Sequence, residues 1–210
     1  MKLFSIILKL SYTVLFIPIY LIIKLISPFI LISWAELQTA RVGGLNMETS
    51  VYCNYRNARK KTKKKYIDIF YPEKKISNKF LFSLCQKKIN IFPRFLIKPL
   101  NDINRIFVKI FPQLIDHQLD LMSIRYKNRH LINESEKILQ LSTNDLDKGF
   151  ANLEKMGILK NKKFVCLMVR DNAYLEKEFP NYDWKYHDYR NSDINNFVPA
   201  IEKIIKEEIY

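Results

Sequence analysis

Residues 3–34 form an apolar segment whose only charges are Lys9 and Lys24. Its longest uncharged run, Leu10 to Ile23, has 14 residues. As a helix such a run rises about 21 Å, short of the ~30 Å hydrocarbon core of a bilayer. Pro18 predicts a kink in it, and a second apolar run, Leu25 to Trp34, is broken by Pro28. No small-residue cleavage site follows, which weighs against a secretory signal peptide. A single spanning helix with snorkelling lysines remains open. An anchor over residues 1–27 that lies in one leaflet fits the length and the lysines best.

Charge supports an orientation. Arg56, Arg59, Lys60, Lys61, Lys63, Lys64 and Lys65 crowd a stretch with no acid. The positive-inside rule keeps this side cytoplasmic if anything is inserted. The cluster could also grip anionic headgroups, at ~1 kcal/mol per basic residue, or it could be a solvated loop. The whole chain carries a formal net charge of +14. Such a field attracts polyanions, although a composition rich in Ile, Lys, Asn, Tyr and Phe accounts for part of it. No RNP-like or helix-turn-helix pattern supports nucleic acid as a partner. The three cysteines, Cys53, Cys85 and Cys166, are too far apart for a zinc site or a disulfide framework. His117, His130 and His187 show no ligand spacing, so no metal or cofactor is expected.

The body alternates strand and helix signals. Phe29 to Ser33 reads as a buried strand, and a loop at Gly43-Gly44 follows. Met47 to Tyr55 reads as a short helix. Tyr66 to Tyr71 alternates cleanly and is closed by Pro72. Ser77 reads as the N-cap of a helix over 78–87, and Ile89 to Phe92 as a short strand. Apolar residues at helical spacing lie between Pro99 and Pro112. This rhythm predicts an α/β domain over residues 28–125 and a polar linker over 126–141. A new unit, 142–210, opens with Ser142 as N-cap and ends its first helix at Gly157. Lys163 to Val169 then reads as a fully buried parallel strand, and Asn191 and Ser192 start a last helix from Asp193, bent at Pro199.

In open α/β sheets ligands sit beyond the carboxyl ends of strands. Arg170 and Asp171 occupy that place after the last predicted strand. The Arg170 fork suits a phosphate, and Asp171 could orient it or accept a sugar hydroxyl. Asn191, Ser192 and Asp193 would open a helix whose free N–H groups could meet an anion. The bland alternative is an Arg–Asp pair and an ordinary cap. Tyr174 and the aromatics from Tyr182 to Tyr189 could stack on a sugar or base, though such residues more often cover a core edge. In the first domain Arg41 could bind a phosphate beside Gly43 and Gly44, which would let backbone approach a ligand. Glu48 is a candidate base, although nothing in the sequence poises its pKa. Asp145-Leu146-Asp147 spells a metal-binding DxD, but acids are expected in a first helical turn on dipole grounds.

The stretch Phe164–Tyr174 with Tyr189-Arg190-Asn191-Ser192-Asp193 resembles a motif in bacterial glycosyltransferases linked with surface polysaccharides. Residues 40–52 and 146–158 carry further likeness to that family, so the resemblance covers about residues 28–208. Gly44 stands where the family places a His. The Val169-Arg170-Asp171 element is distantly similar to a donor-binding motif of fucosyltransferases, with Met168 in place of its His. The resemblance implies a Rossmann-like, GT-B-type N-terminal half holding the acceptor, followed by the start of a second Rossmann-like domain that holds a nucleotide sugar. With the readings of the residues above, this puts Arg170, Tyr174, Arg190, Asn191, Ser192 and Asp193 on the donor side, leaves Asp171 and Glu48 as the candidate catalytic carboxylates, and sets Arg41, Gly43 and Gly44 in an acceptor-side loop. The donor half would be incomplete at Tyr210. The implied activity is sugar transfer to a membrane-borne glycan or lipid-linked acceptor on the cytoplasmic face of the bacterial inner membrane. The alternative is a non-catalytic membrane-associated subunit or relic that pairs with a separate donor domain.

Overall fold

The structure is a computed structural model that describes residues 13–59, 65–127, 138–159 and 162–206. It is mixed α/β, and the chain forms two compact units, Met1–Gln140 and Leu141–Tyr210.

The first unit is built on two parallel strands. β1 (Ile30–Leu37) pairs with β2 (Lys65–Pro72) in a register that runs from Ile30 opposite Lys65 to Leu37 opposite Pro72. Single parallel bridges extend the sheet on both sides: Trp34 to Gln118 next to β1, and Phe70 to Ile91 next to β2. The order across the sheet is therefore Gln118, β1, β2, Ile91.

Side-chain alternation along the strands serves two cores. Ala35, Leu37 and Phe70 face α2 (Val42–Arg59), α3 (Lys79–Gln86) and Leu121 of α5 (Leu121–Lys127). Ile32, Trp34, Ile69 and Tyr71 face α1 (Ile17–Ile26) and α4 (Arg94–Ile110). The connections from β1 through α2 to β2, and on through α3 to Ile91, thus use one face. The next crossing, through α4 to Gln118, uses the other. The direction of succession reverses at β1. Trp34 and Leu37 are fully buried, and each such side chain contributes about 1.5–3 kcal/mol.

The apolar N-terminal segment takes a different form from the expected one. Pro18 lies in the first turn of α1, where its missing N–H costs nothing, so it starts a helix instead of kinking one. Tyr20 is buried against Trp34, Phe107 and His117, and its hydroxyl donates to Asn104. Lys24 folds back to donate to the Ile115 carbonyl and does not snorkel outward. No helix among the described residues is long and apolar enough to cross a membrane. Residues 1–12, with Lys9, lie outside the described residues, as do the lysines of 60–64.

Several boundaries shift for local reasons. The helix expected at Met47 begins at Val42, so Gly43 and Gly44 lie in its first turn and not in a loop. Asn78, not Ser77, caps α3, accepting the Leu81 N–H at 2.8 Å; Ser77 instead binds the Thr39 carbonyl. Pro99 lies inside α4, and Pro93 is its N-cap. Arg56 and Arg59 of the basic cluster are held within the unit: Arg56 donates to the Lys88 carbonyl and Arg59 pairs with the buried Asp68.

In the second unit, α6 (Thr143–Lys155) opens with a capping box between Ser142 and Asp145 and ends before Gly157, whose φ is +86°. Asp145 is thereby spent on the cap. The expected strand from Lys163 to Val169 is absent: the segment has no regular secondary structure and pairs with no strand among the described residues, and Met168 is 90% exposed. An apolar run without a neighbouring strand leaves its N–H and C=O groups to water. α7 (Ala173–Glu178) follows, then a 3₁₀ helix (Lys185–Arg190). Trp184 is the buried centre of this part, edged by Phe179 and flanked by Tyr182 and Tyr186. The long last helix is divided into a 3₁₀ turn (Ile194–Phe197) and α8 (Val198–Lys206), because Pro199 fits a first helical turn and not an interior.

Candidate functional site

In the first unit the carboxyl ends of β1 and β2 meet in the loop from Gln38 to Arg41. Two carboxylates hold that loop. Glu48 accepts the Gln38 N–H at 2.8 Å, and Glu73 accepts the Ala40 N–H at 2.8 Å. Thr39 donates to the Lys75 carbonyl at 2.6 Å. Gly44 permits the closeness: a Cβ there would stand 2.9 Å from the Gln38 Cβ and 3.2 Å from the Gln38 carbonyl oxygen. Gly43 has open space around it, and Arg41 is exposed, its carbonyl accepting the Leu45 N–H.

Glu48 is 4% exposed. Burial pushes its carboxyl up to about 7; the Gln38 N–H and Arg125 oppose the shift, and Glu73 adds to it. A carboxyl near neutrality can take and return a proton at physiological pH. Glu48 stands beyond β1, where the strand succession reverses, and that is where open α/β sheets bind ligands.

In the second unit the predicted residues divide into two groups. Arg170, Asn191 and Ser192 come together: the Ser192 N–H donates to the Arg170 carbonyl at 3.0 Å. Asp188 ties them to Asn172, its Oδ1 accepting from Asn172 Nδ2 at 2.7 Å and from Asn191 Nδ2 at 3.2 Å. Because a carboxylate only accepts, both amides are oriented with their oxygens turned from it. Those oxygens, Asn172 Oδ1 and Asn191 Oδ1, are buried and have no hydrogen-bond partner among the described residues, and neither does Arg170 Nη1. Asn172 is 9% exposed.

The bonds through Asp188 and between Ser192 and Arg170 do not include Asp171, Arg190 or Asp193. Asp171 is exposed and accepts the Ala173 N–H at 3.1 Å. Tyr174 and Arg190 are exposed. Asp193 caps the short 3₁₀ turn, accepting the Asn195 N–H at 2.9 Å. The helix whose N–H groups were to meet an anion does not begin there, and a four-residue turn already closed by Asp193 offers no such site.

Sequence reasoning missed Glu73, Asn172 and Asp188. Glu73 follows a proline at a strand end, and Asn172 follows an Arg–Asp pair. Both are positions where a polar side chain at the carboxyl edge of an α/β unit carries signal. Among the described residues no group of three His, Cys, Asp or Glu could hold a metal ion.

No family model matches the chain, and no curated protein or solved structure matches it either.

Proposed function

We propose that this chain belongs to a glycosyltransferase that moves a sugar from a nucleotide-sugar donor to a membrane-borne glycan or lipid-linked acceptor. The observation that carries the reading is the set of unspent buried atoms on Arg170, Asn172 and Asn191. The two amides are joined through Asp188, and the Arg170 carbonyl accepts the Ser192 N–H next in chain to Asn191; a guanidinium donor and two amide acceptors on these residues would suit a ligand that both donates and accepts. Sugar hydroxyls do both, and such buried groups cost about 1–3 kcal/mol each while unpaired. The Arg170 fork also suits a diphosphate, which must be steadied as it leaves.

The first unit supports the acceptor role. Its order Ile91, β2, β1, Gln118 agrees with a Rossmann-like arrangement, and Glu48 has the acidity of a general base for an acceptor hydroxyl. Leu21, Ile22, Leu25 and Phe29 are exposed, and the Lys24–Ile115 bond holds the exposed Ile115 close to α1. An apolar surface of this kind lies in one leaflet of a bilayer, on its cytoplasmic face by the charge rule.

The test is transfer of labelled sugar by the full-length protein in lipid, using a panel of nucleotide sugars. Transfer that falls about a hundredfold in Arg170→Ala, a loss of the order seen for one stabilising donor, supports the reading. Unchanged transfer in that variant removes Arg170 from the chemistry. A second reading, a non-catalytic subunit that pairs with a separate donor domain, is favoured by the bare run from Phe164 to Met168. It predicts no transfer by the chain alone and a second subunit in the native mass of the complex.

A further inference from the structure

A cavity of about 510 Å³ opens at the start of α4, beside Thr13 and the end of β2. It has two kinds of wall. Among the described residues Lys74, Arg94 and Lys98 bring three cations to its lining, and Asp102 one carboxylate. Phe95 and Pro99 supply an apolar wall, and Phe95 is more than half exposed. Glu36, outside the lining, pairs with Arg94, and Asp102 pairs with Lys98. Both pairs are partly exposed, so they orient the cations and neutralise them only weakly. Glu36 and the Pro72 carbonyl both take Arg94 Nη1, which leaves Nη2 and Nε with hydrogen bonds to give. Lys74 is exposed and makes no ion pair among the described residues.

We propose that this cavity binds the phosphate or diphosphate monoester headgroup of an anionic amphiphile, whose apolar chain lies over Phe95 and Pro99. Arg94 and Lys98 each have one partly exposed carboxylate partner and Lys74 has none among the described residues, whereas a phosphate monoester offers three acceptor oxygens and a charge of about −1.5 to −2. The apolar side suits a chain and not a second charged group. Val14 and Leu15 continue it beyond Thr13, both more than half exposed. As the acceptor's site the assignment rests on the transfer reading above; as a binding site it stands alone.

The test measures binding by calorimetry on the full chain in zwitterionic bicelles. The probes are dodecyl phosphate, dodecyl maltoside, inorganic phosphate and pyrophosphate. Saturable one-to-one binding of dodecyl phosphate, weakened about tenfold in both Lys74→Glu and Lys98→Glu, is the expected result. Circular dichroism of each variant confirms that it folds. Equal affinity for inorganic phosphate or pyrophosphate overturns the amphiphile and leaves a free-phosphate site. Equal binding of dodecyl maltoside, or dodecyl phosphate affinity unchanged in the variants, overturns the cavity assignment. Loss of sugar transfer with amphiphile binding intact counts against the transfer reading and not against this site.

Discussion

Asn172 and Asp188 are joined by a hydrogen bond of 2.7 Å from the amide Nδ2 to the carboxylate Oδ1, across sixteen residues of chain. The bond fixes which way the amide points and puts its oxygen where no protein group meets it. Asn172→Ala should cost the second unit about 1–2 kcal/mol. Asn172→Asp should cost more, because it sets a second carboxylate against Asp188. Denaturant midpoints of the two variants check the order; equal midpoints would show that Asp188 does not hold this side chain.

Glu48 predicts a dependence of stability on pH. Its folded pKa, about 7, lies above the ordinary carboxyl value, so the folded state holds a proton that the unfolded state releases. The contribution is complete below about pH 4.5 and is lost as pH rises to about 7. Glu48→Gln keeps an acceptor for the Gln38 N–H without the charge. The variant should be more stable than the parent at pH 8, by up to about 3 kcal/mol, and the gap should close toward pH 4.5. Melting curves across that range test it. A gap that stays constant with pH contradicts the assignment.

The two adjacent glycines should respond in opposite ways. Gly43→Ala meets nothing within 4 Å and adds helix propensity, so it should stabilise by about 0.5–1 kcal/mol. Gly44→Ala must push Gln38 away from the turn that Glu48 holds, and should destabilise by about 1–3 kcal/mol. Thermal denaturation separates the pair.

Arg59 covers Asp68, whose Oδ2 takes both the Arg59 guanidinium and the Tyr52 hydroxyl, the latter at 2.8 Å. The Asp68 side chain is almost wholly buried. Arg59→Ala leaves that carboxylate in the core with its charge unmatched, at a cost of about 3–5 kcal/mol. Asp68→Asn in the same chain should recover part of the loss. A double-mutant cycle measures the coupling, and simple additivity would show that the two do not act as a pair.

Leu25 and Phe29 are each 78% exposed, so changing them leaves the folded core intact. Leu25→Glu with Phe29→Glu should reduce flotation of the protein with anionic vesicles several-fold while the melting temperature stays within about 2 °C. Unchanged flotation would place lipid contact elsewhere on the chain.

Local chemistry was the most legible part of the sequence. Ser142, Asp145 and Gly157 marked the ends of α6 because caps act over three or four residues, and the alternation of Tyr66 to Tyr71 marked β2 for the same reason. Val42–Arg59 was read too short because two glycines suggest a loop, whereas Gly44 lies in the first helical turn and lets Gln38 approach it closely. The loop carboxylates were half visible. Glu48 stood near the glycines, but its partner Glu73 lies 33 residues beyond the Ala40 that it holds. In the second unit Arg170 and Asn191 were found by position, while Asn172 and Asp188 needed the fold to join them. The run Phe164–Val169 was misread because an apolar stretch states a preference for burial and cannot state whether a neighbour exists.

The pairing of Trp34 with residues 117–119 bears on how the protein is made. Ile32 and His117 touch through the carbonyl and the imidazole, 85 residues apart. At roughly 5–20 residues per second, a ribosome needs on the order of 4–17 s to reach His117 after Ile32 has been added. During that interval β1 lacks one neighbour and α1 lacks α4. The face of α1 that carries Tyr20 therefore waits uncovered through a long part of translation, the period when early delivery to a bilayer or shielding by a chaperone has the most to protect.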